Sequence, residues 1–132
     1  ARVKTVNDRD ADLFIFIHVN HIKNAKKIGP IIFYHQTSEK GKLLAEHMQD
    51  YLNDISTYKK LDIKVEHEAT PGNFYILGNT STLGIIVEMG FLSNDIDRGL
   101  LLDAEHQNEI VEQIAKGIIA HFNKESKENV RR

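Results

Sequence analysis

The 132-residue chain has no cysteine, no tryptophan and only two prolines, and no charge of one sign in excess: 17 Lys and Arg stand against 19 Asp and Glu. Each shortage excludes something. Without cysteine there are no disulfides and no thiolate metal sites, which fits either the cytosol or a Gram-positive exterior, where many proteins dispense with disulfides. A formal net charge of -2 argues against a nucleic-acid binder, because such proteins concentrate Lys and Arg into a strongly basic face. No window approaches the roughly eighteen uninterrupted apolar residues that span a bilayer, and no signal-peptide pattern opens the chain. G-x-S-x-G, a Walker loop and G-x-G-x-x-G are missing, so serine-hydrolase, phosphate-loop and dinucleotide readings lack support. There is no internal repeat and no low-complexity segment.

What is present is an alternation of strand-like and helix-like segments. Residues 12–19, D-L-F-I-F-I-H-V, are almost all β-branched or aromatic, the signature of a central parallel strand covered on both faces. Residues 28–35 give a second strand that starts at Pro30, where a missing N–H costs least. Leu44, Met48, Tyr51, Leu52 and Ile55 recur at helical spacing and predict a helix over 38–55. Residues 61–68 alternate Ile63, Val65 and His67 with charged neighbours, which predicts a half-exposed strand near an edge, followed by a turn at Pro71-Gly72. Leu83–Val87 is a further buried strand. A last helix over 104–122 places Ile110, Val111, Ile114, Ile118 and Phe122 on one face and Glu109, Glu112, Gln113 and Lys116 on the other.

The fold class is therefore α/β, a largely parallel sheet flanked by helices. The domain is expected over 1–122, with 123–132 a charged mobile tail. A parallel sheet whose first strand is central needs earlier strand-helix units, and only about eleven residues precede this one. Ala1, Val3 and Val6 also read as the middle of an amphipathic element. The sheet is expected to be incomplete on its N-terminal side.

Ligands of open α/β sheets bind beyond the carboxyl ends of the strands. Two polar residues close such strands, His18 after F-I-F-I and Glu88 after L-G-I-I-V. A carboxylate taken out of water needs a partner or a raised pKa, which makes Glu88 a candidate general base; a helix cap or salt bridge is the structural alternative. His18 fits either a structural histidine or a metal ligand. Together they fit a metal-bound water and its base. Asn20 and His21, in the loop after His18, are weaker candidates for substrate contact. His35, His47, His67, His106 and His121 show no ligand spacing and are expected at the surface. Ser93 and Asn94 precede D-I-D-R-G-L-L as the cap of a short helix.

The stretches A-D-L-F-I-F-I-H-V-N, I-I-F-Y-H-Q-T-S-E-K-G-K-L-L-A-E-H-M-Q-D-Y-L, I-V-E-M-G-F-L-S-N-D-I-D and Q-N-E-I-V-E-Q-I-A-K-G-I-I resemble, in order, the zinc-dependent N-acetylmuramoyl-L-alanine amidases of bacterial cell walls. The resemblance implies hydrolysis of the amide between N-acetylmuramic acid and L-alanine in peptidoglycan, with one zinc held by two histidines and a glutamate. It makes His18 the last zinc ligand and Glu88 the catalytic glutamate. The G-H-G-G-type segment and the helix glutamate that supply the family's other two ligands are not in this sequence. The resemblance thus implies remaining ligands upstream of Ala1, together with a signal or anchor for action outside the cytoplasm. G-P-I-I-F-Y-H-Q and the absence of wall-binding repeats point toward sporulation amidases of the spore cortex. The sequence leaves open a protein partner that regulates metal loading, and the oligomeric state. The alternative is a non-catalytic module that binds peptidoglycan or a protein partner without a complete zinc site. A metallopeptidase or phosphoesterase on a similar sheet has only the placement of His18 and Glu88 in its favour.

Overall fold

The structure, a computed structural model, describes residues 1–131. Its elements are α1 (Arg2–Asn7), β1 (Phe14–Asn20), β2 (Ile31–His35), α2 (Glu39–Leu52), α3 (Ser56–Lys59), β3 (Thr70–Gly72), α4 (Tyr75–Gly78), β4 (Gly84–Phe91), α5 (Asp95–Leu101) and α6 (Ala104–Arg131). The β-branched runs become strands because their stiff side chains pack well on a pleated surface. Strand order is β1-β4-β2-β3. β1 runs parallel to β4 and β2 parallel to β3, while β2 and β4 are antiparallel. The sheet is thus mixed, with two of its three pairings parallel.

The two long helices lie on one face. Leu44, Met48 and Leu52 of α2 and Ile110 and Ile114 of α6 pack on Ile32, Tyr34, Ile85 and Val87 of the sheet. Each such side chain, fully buried, contributes about 1.5–3 kcal/mol of transfer free energy. α2 starts where Ser38 Oγ accepts the Gly41 N–H at 2.9 Å. Gly117 lets α6 approach α2, since a Cβ there would stand 3.2 Å from the Met48 Cα.

Several expectations need correcting. Among the described residues β1, expected to be central, pairs only with β4 and so lies at the edge of this sheet, with Ile17 47% exposed. The helix expected over 38–55 divides into α2 and α3. Residues 61–68 form no strand, and Pro71 and Gly72 lie in β3 instead of a turn. The alternation is nonetheless real, with Val65 buried between exposed Lys64 and Glu66. What is missing is a ladder: Asn53 holds both backbone groups of His67, with Oδ1 accepting its N–H at 3.2 Å and Nδ2 donating to its carbonyl at 2.8 Å. α6 does not stop at Phe122. The expected tail 123–132 continues the helix to Arg131, and residue 132 lies outside the described residues. Lys124, Glu125, Lys127 and Glu128 are good helix formers, and no glycine or proline interrupts them. On α6, Val111 is 61% exposed while Gln113 is buried, the reverse of the expected faces.

Candidate functional site

Because β1 and β4 are parallel, their carboxyl ends meet at one end of the sheet, and the register sets His18 opposite Glu88. Ile85 and Val87 point into the helical core, so alternation turns Ile86 and Glu88 to the other face. His18 follows Phe14 and Phe16 onto that face. The pair therefore stands on the side of the sheet opposite α2 and α6.

His18 Nδ1 lies 2.9 Å from Glu88 Oε2, with the histidine side chain 38% exposed and the glutamate 7%. The contact does not satisfy hydrogen-bond geometry, and Oε2 has no hydrogen-bond partner. Glu88 is buried because β4 is central, flanked by His18 on one side and Ile31 on the other. Burial raises its pKa above the ordinary carboxylate value, and His18 pulls it partly back. A carboxylate whose charged form burial disfavours, with one oxygen free of hydrogen bonds, is a candidate general base.

The pair opens into a cleft of about 560 Å³ lined also by Arg2, Phe16, Phe74 and Tyr75. The Phe16 and His18 rings meet edge-on, 5.0 Å between centroids, and the Arg2 guanidinium lies 4.8 Å from the Phe16 ring centre. Phe74 packs edge-on against Phe33. Tyr75 is 75% exposed. A larger cavity of about 1150 Å³, lined by Arg9, His35, Lys40 and Thr82 among others, lies at the amino ends of β1 and β4 and contains neither His18 nor Glu88. The smaller cleft is the better candidate, since it occupies the strand ends where α/β sheets bind ligands.

His18 and Glu88 are thus brought together. Asn20 is not in the cleft: its Oδ1 accepts the His21 N–H at 2.8 Å, and its carbonyl accepts the Leu92 N–H at 2.7 Å. His21 is exposed. Asn94 caps α5 as expected, its Oδ1 accepting the N–H groups of Ile96 and Asp97. Phe16 could be placed beside His18 by alternation, whereas Arg2 and Tyr75 carry no sequence signal for this cleft. Two of the histidines expected at the surface are buried, His106 against Thr57 and His121 against His47. Both belong to α6, on the far side of the sheet.

No group of three or more His, Cys, Asp or Glu side chains able to hold a metal occurs among the described residues. An imidazole and a carboxylate with an unpaired oxygen suit zinc in kind. They fall short in number, since catalytic zinc takes three protein donors. Among the described residues, no helix is long and apolar enough to cross a membrane.

Comparison with known proteins agrees with this architecture. The germination-specific N-acetylmuramoyl-L-alanine amidase of Bacillus subtilis (strain 168) is 31% identical over 121 residues, 92% of this chain and 49% of that protein. The probable cell wall amidase LytH of Staphylococcus saprophyticus is 25% identical over 89% of this chain and 38% of its own length. The chain thus spans half or less of the length of these two curated relatives. The CwlD amidase of Clostridioides difficile, solved in complex with the GerS lipoprotein, superposes with a TM-score of 0.83 at 26% identity, over 92% of this chain and 60% of that one. The family model for N-acetylmuramoyl-L-alanine amidase matches residues 1–120, and on that match the chain belongs to the N-acetylmuramoyl-L-alanine amidase family.

Proposed function

We propose that this chain supplies the base and one metal ligand of a peptidoglycan amidase that cleaves the bond between N-acetylmuramic acid and L-alanine. The observation that carries the reading is the buried Glu88 carboxylate, 2.9 Å from His18 at the floor of a cleft and with Oε2 free of hydrogen bonds. His18 would be one ligand of a single zinc, and the other donors are to be sought outside these 132 residues. Bound zinc supplies a water of lowered pKa and polarises the amide carbonyl. Glu88 takes a proton from the attacking water and hands it to the L-alanine nitrogen as the C–N bond breaks, leaving a carboxylic acid on the lactyl group and a free amine on the peptide. Half-exposed Phe16 and Phe74 and exposed Tyr75 give the cleft an apolar wall for the substrate.

The action is outside the cytoplasm, on the wall or the spore cortex. The germination-specific relative supports the second, and the CwlD–GerS complex supports a protein partner. In the protein carrying the full ligand set, Glu88→Gln should keep zinc and lose turnover by about 10²–10⁴-fold; full activity in that variant would show that Glu88 is not the base. His18→Ala should lower metal content.

One observation favours a second reading, a binding module without hydrolysis: no group of three metal donors occurs among the described residues. Metal analysis of the 132-residue chain, with an amine-release assay on purified peptidoglycan, separates the two. Binding by this chain without zinc or hydrolysis, maintained when the missing donors are restored, supports the second reading.

A further inference from the structure

Asp97 is fully buried, and a buried carboxylate is tolerated only where its oxygens have partners. It has three. Oδ2 accepts the backbone N–H of Phe91 at 2.8 Å and that of Gly29 at 2.9 Å, and Oδ1 accepts the Tyr58 hydroxyl at 2.6 Å. Burial pushes the Tyr58 phenol well above its ordinary range, so it stays the donor. One side chain of α5 thereby ties together the end of β4, the turn before β2, and α3.

Phe91 is the point at which β4 resumes its pairing with β1. His18 stands opposite Glu88 and Asn20 opposite Phe91, so two steps on β1 match three on β4. This is a β-bulge that begins one residue past Glu88. A bulge bends its strand and re-aims side chains, and it takes backbone groups out of the ladder, which must then find other partners. The Phe91 N–H finds Asp97. The same Oδ2 would lie 2.9 Å from a Cβ added at Gly90, so the carboxylate also bounds the space in which the bulge turns.

We propose that Asp97 is a positioning residue for the His18–Glu88 pair, pinning the bulge that follows Glu88 and thereby holding the carboxylate at the imidazole. It touches neither side chain and takes no part in bond making. Its value for catalysis rests on the reading of Glu88 as base; its effect on geometry does not.

The test uses the imidazole nitrogen signals of His18 in NMR spectra of the whole chain. Glu88→Gln marks where those signals fall when no carboxylate faces the ring. Asp97→Ala should move them from the wild-type positions toward that mark. Asp97→Asn, which keeps an acceptor oxygen for Phe91 and Gly29, should return them. Tyr58→Phe, which removes the third contact and leaves the bulge pinned, should lower stability and leave them in place. If Asp97→Ala does not fold, Asp97→Ser decides, since its shorter side chain draws the acceptor back from the Phe91 and Gly29 N–H groups, and the same movement is expected. Signals unmoved in the deciding variant, or moved as far by Tyr58→Phe, overturn the proposal. In the zinc-loaded enzyme with all its ligands, Asp97→Ala should cut kcat by about 10²-fold with KM unchanged. Unaltered kcat alongside an inactive Glu88→Gln counts against Asp97. An active Glu88→Gln counts against the base reading instead, and leaves the NMR result to decide the positioning.

Discussion

His106 is fully buried in α6, with Nδ1 2.5 Å from the Thr57 hydroxyl and Nε2 unpartnered. Burial lowers its pKa below the ordinary 6.5, against an opposing pull from Asp97, Glu109 and Asp103. His121 is lowered in the same direction, by burial first and then by His47 and Lys124, with Glu125 opposing. The unfolded chain therefore binds protons that the folded chain does not. Stability falls as pH drops through the unfolded value of 6.5 toward the lower folded one. The urea midpoint should decline between about pH 7.5 and about pH 5.5, and His106→Leu should flatten that decline; an equal slope in the variant would remove His106 as its source. Legibility at this scale depends on where the partners sit. Glu88 is visible in the sequence because a carboxylate interrupts an apolar run. Asp97, in N-D-I-D-R, reads like any polar residue of a helix start, since two of its partners, Gly29 and Tyr58, stand 68 and 39 residues away. His106 is hidden for the same reason, its hydroxyl partner being 49 residues distant.

Between elements, α6 supplies caps that its neighbours lack. α3 follows Ile55 as its N-cap, a residue with no capping side chain. Glu109 takes that role, with its carboxylate accepting the Ser56 N–H at 2.6 Å, the Ser56 hydroxyl at 2.9 Å and the Thr57 N–H at 3.2 Å. Burial alone would raise the Glu109 pKa, but the hydrogen bonds from Ser56 and Thr57 outweigh it and hold it below the ordinary value. Gln113 Nε2 donates to the carbonyls of Tyr51 and Asp54 and so closes the end of α2. Glu109→Ala should destabilise the chain by about 1–2 kcal/mol, the usual worth of an N-cap, and Glu109→Gln by less. Its contribution is present above the unfolded carboxylate pKa and is lost as pH falls through the lower folded value, so the penalty of Glu109→Ala in urea unfolding should shrink in acid. Helical period alone sends Glu109 and Gln113 to solvent with Glu112. They turn inward because two short helix ends need partners, and a pattern within one helix cannot carry that demand. In the same way Ile63, Val65 and His67 reveal a buried face but not whether a neighbouring strand is there to pair with them.

On the scale of the whole molecule, the helices α2 and α6 occupy one face and the His18–Glu88 cleft opens on the other, so the two faces of β1 differ in cover. Among the described residues β1 pairs only with β4, which leaves its second edge with open backbone donors and acceptors. Phe14, Ile15, Phe16 and Val19 are half-buried and Ile17 is 47% exposed. An apolar edge strand of this kind is a template for another strand, and here neither proline nor lysine interrupts it. The isolated 132-residue chain should therefore self-associate at concentrations on the order of µM to mM. Ile17→Lys should shift it toward monomer at little cost in stability, because charge on an exposed edge opposes strand addition. Ile119→Lys, at a 60% exposed position on α6, should leave association unchanged. Sedimentation velocity on the three proteins decides the matter: equal association in the wild type and Ile17→Lys would place the contact elsewhere than on β1.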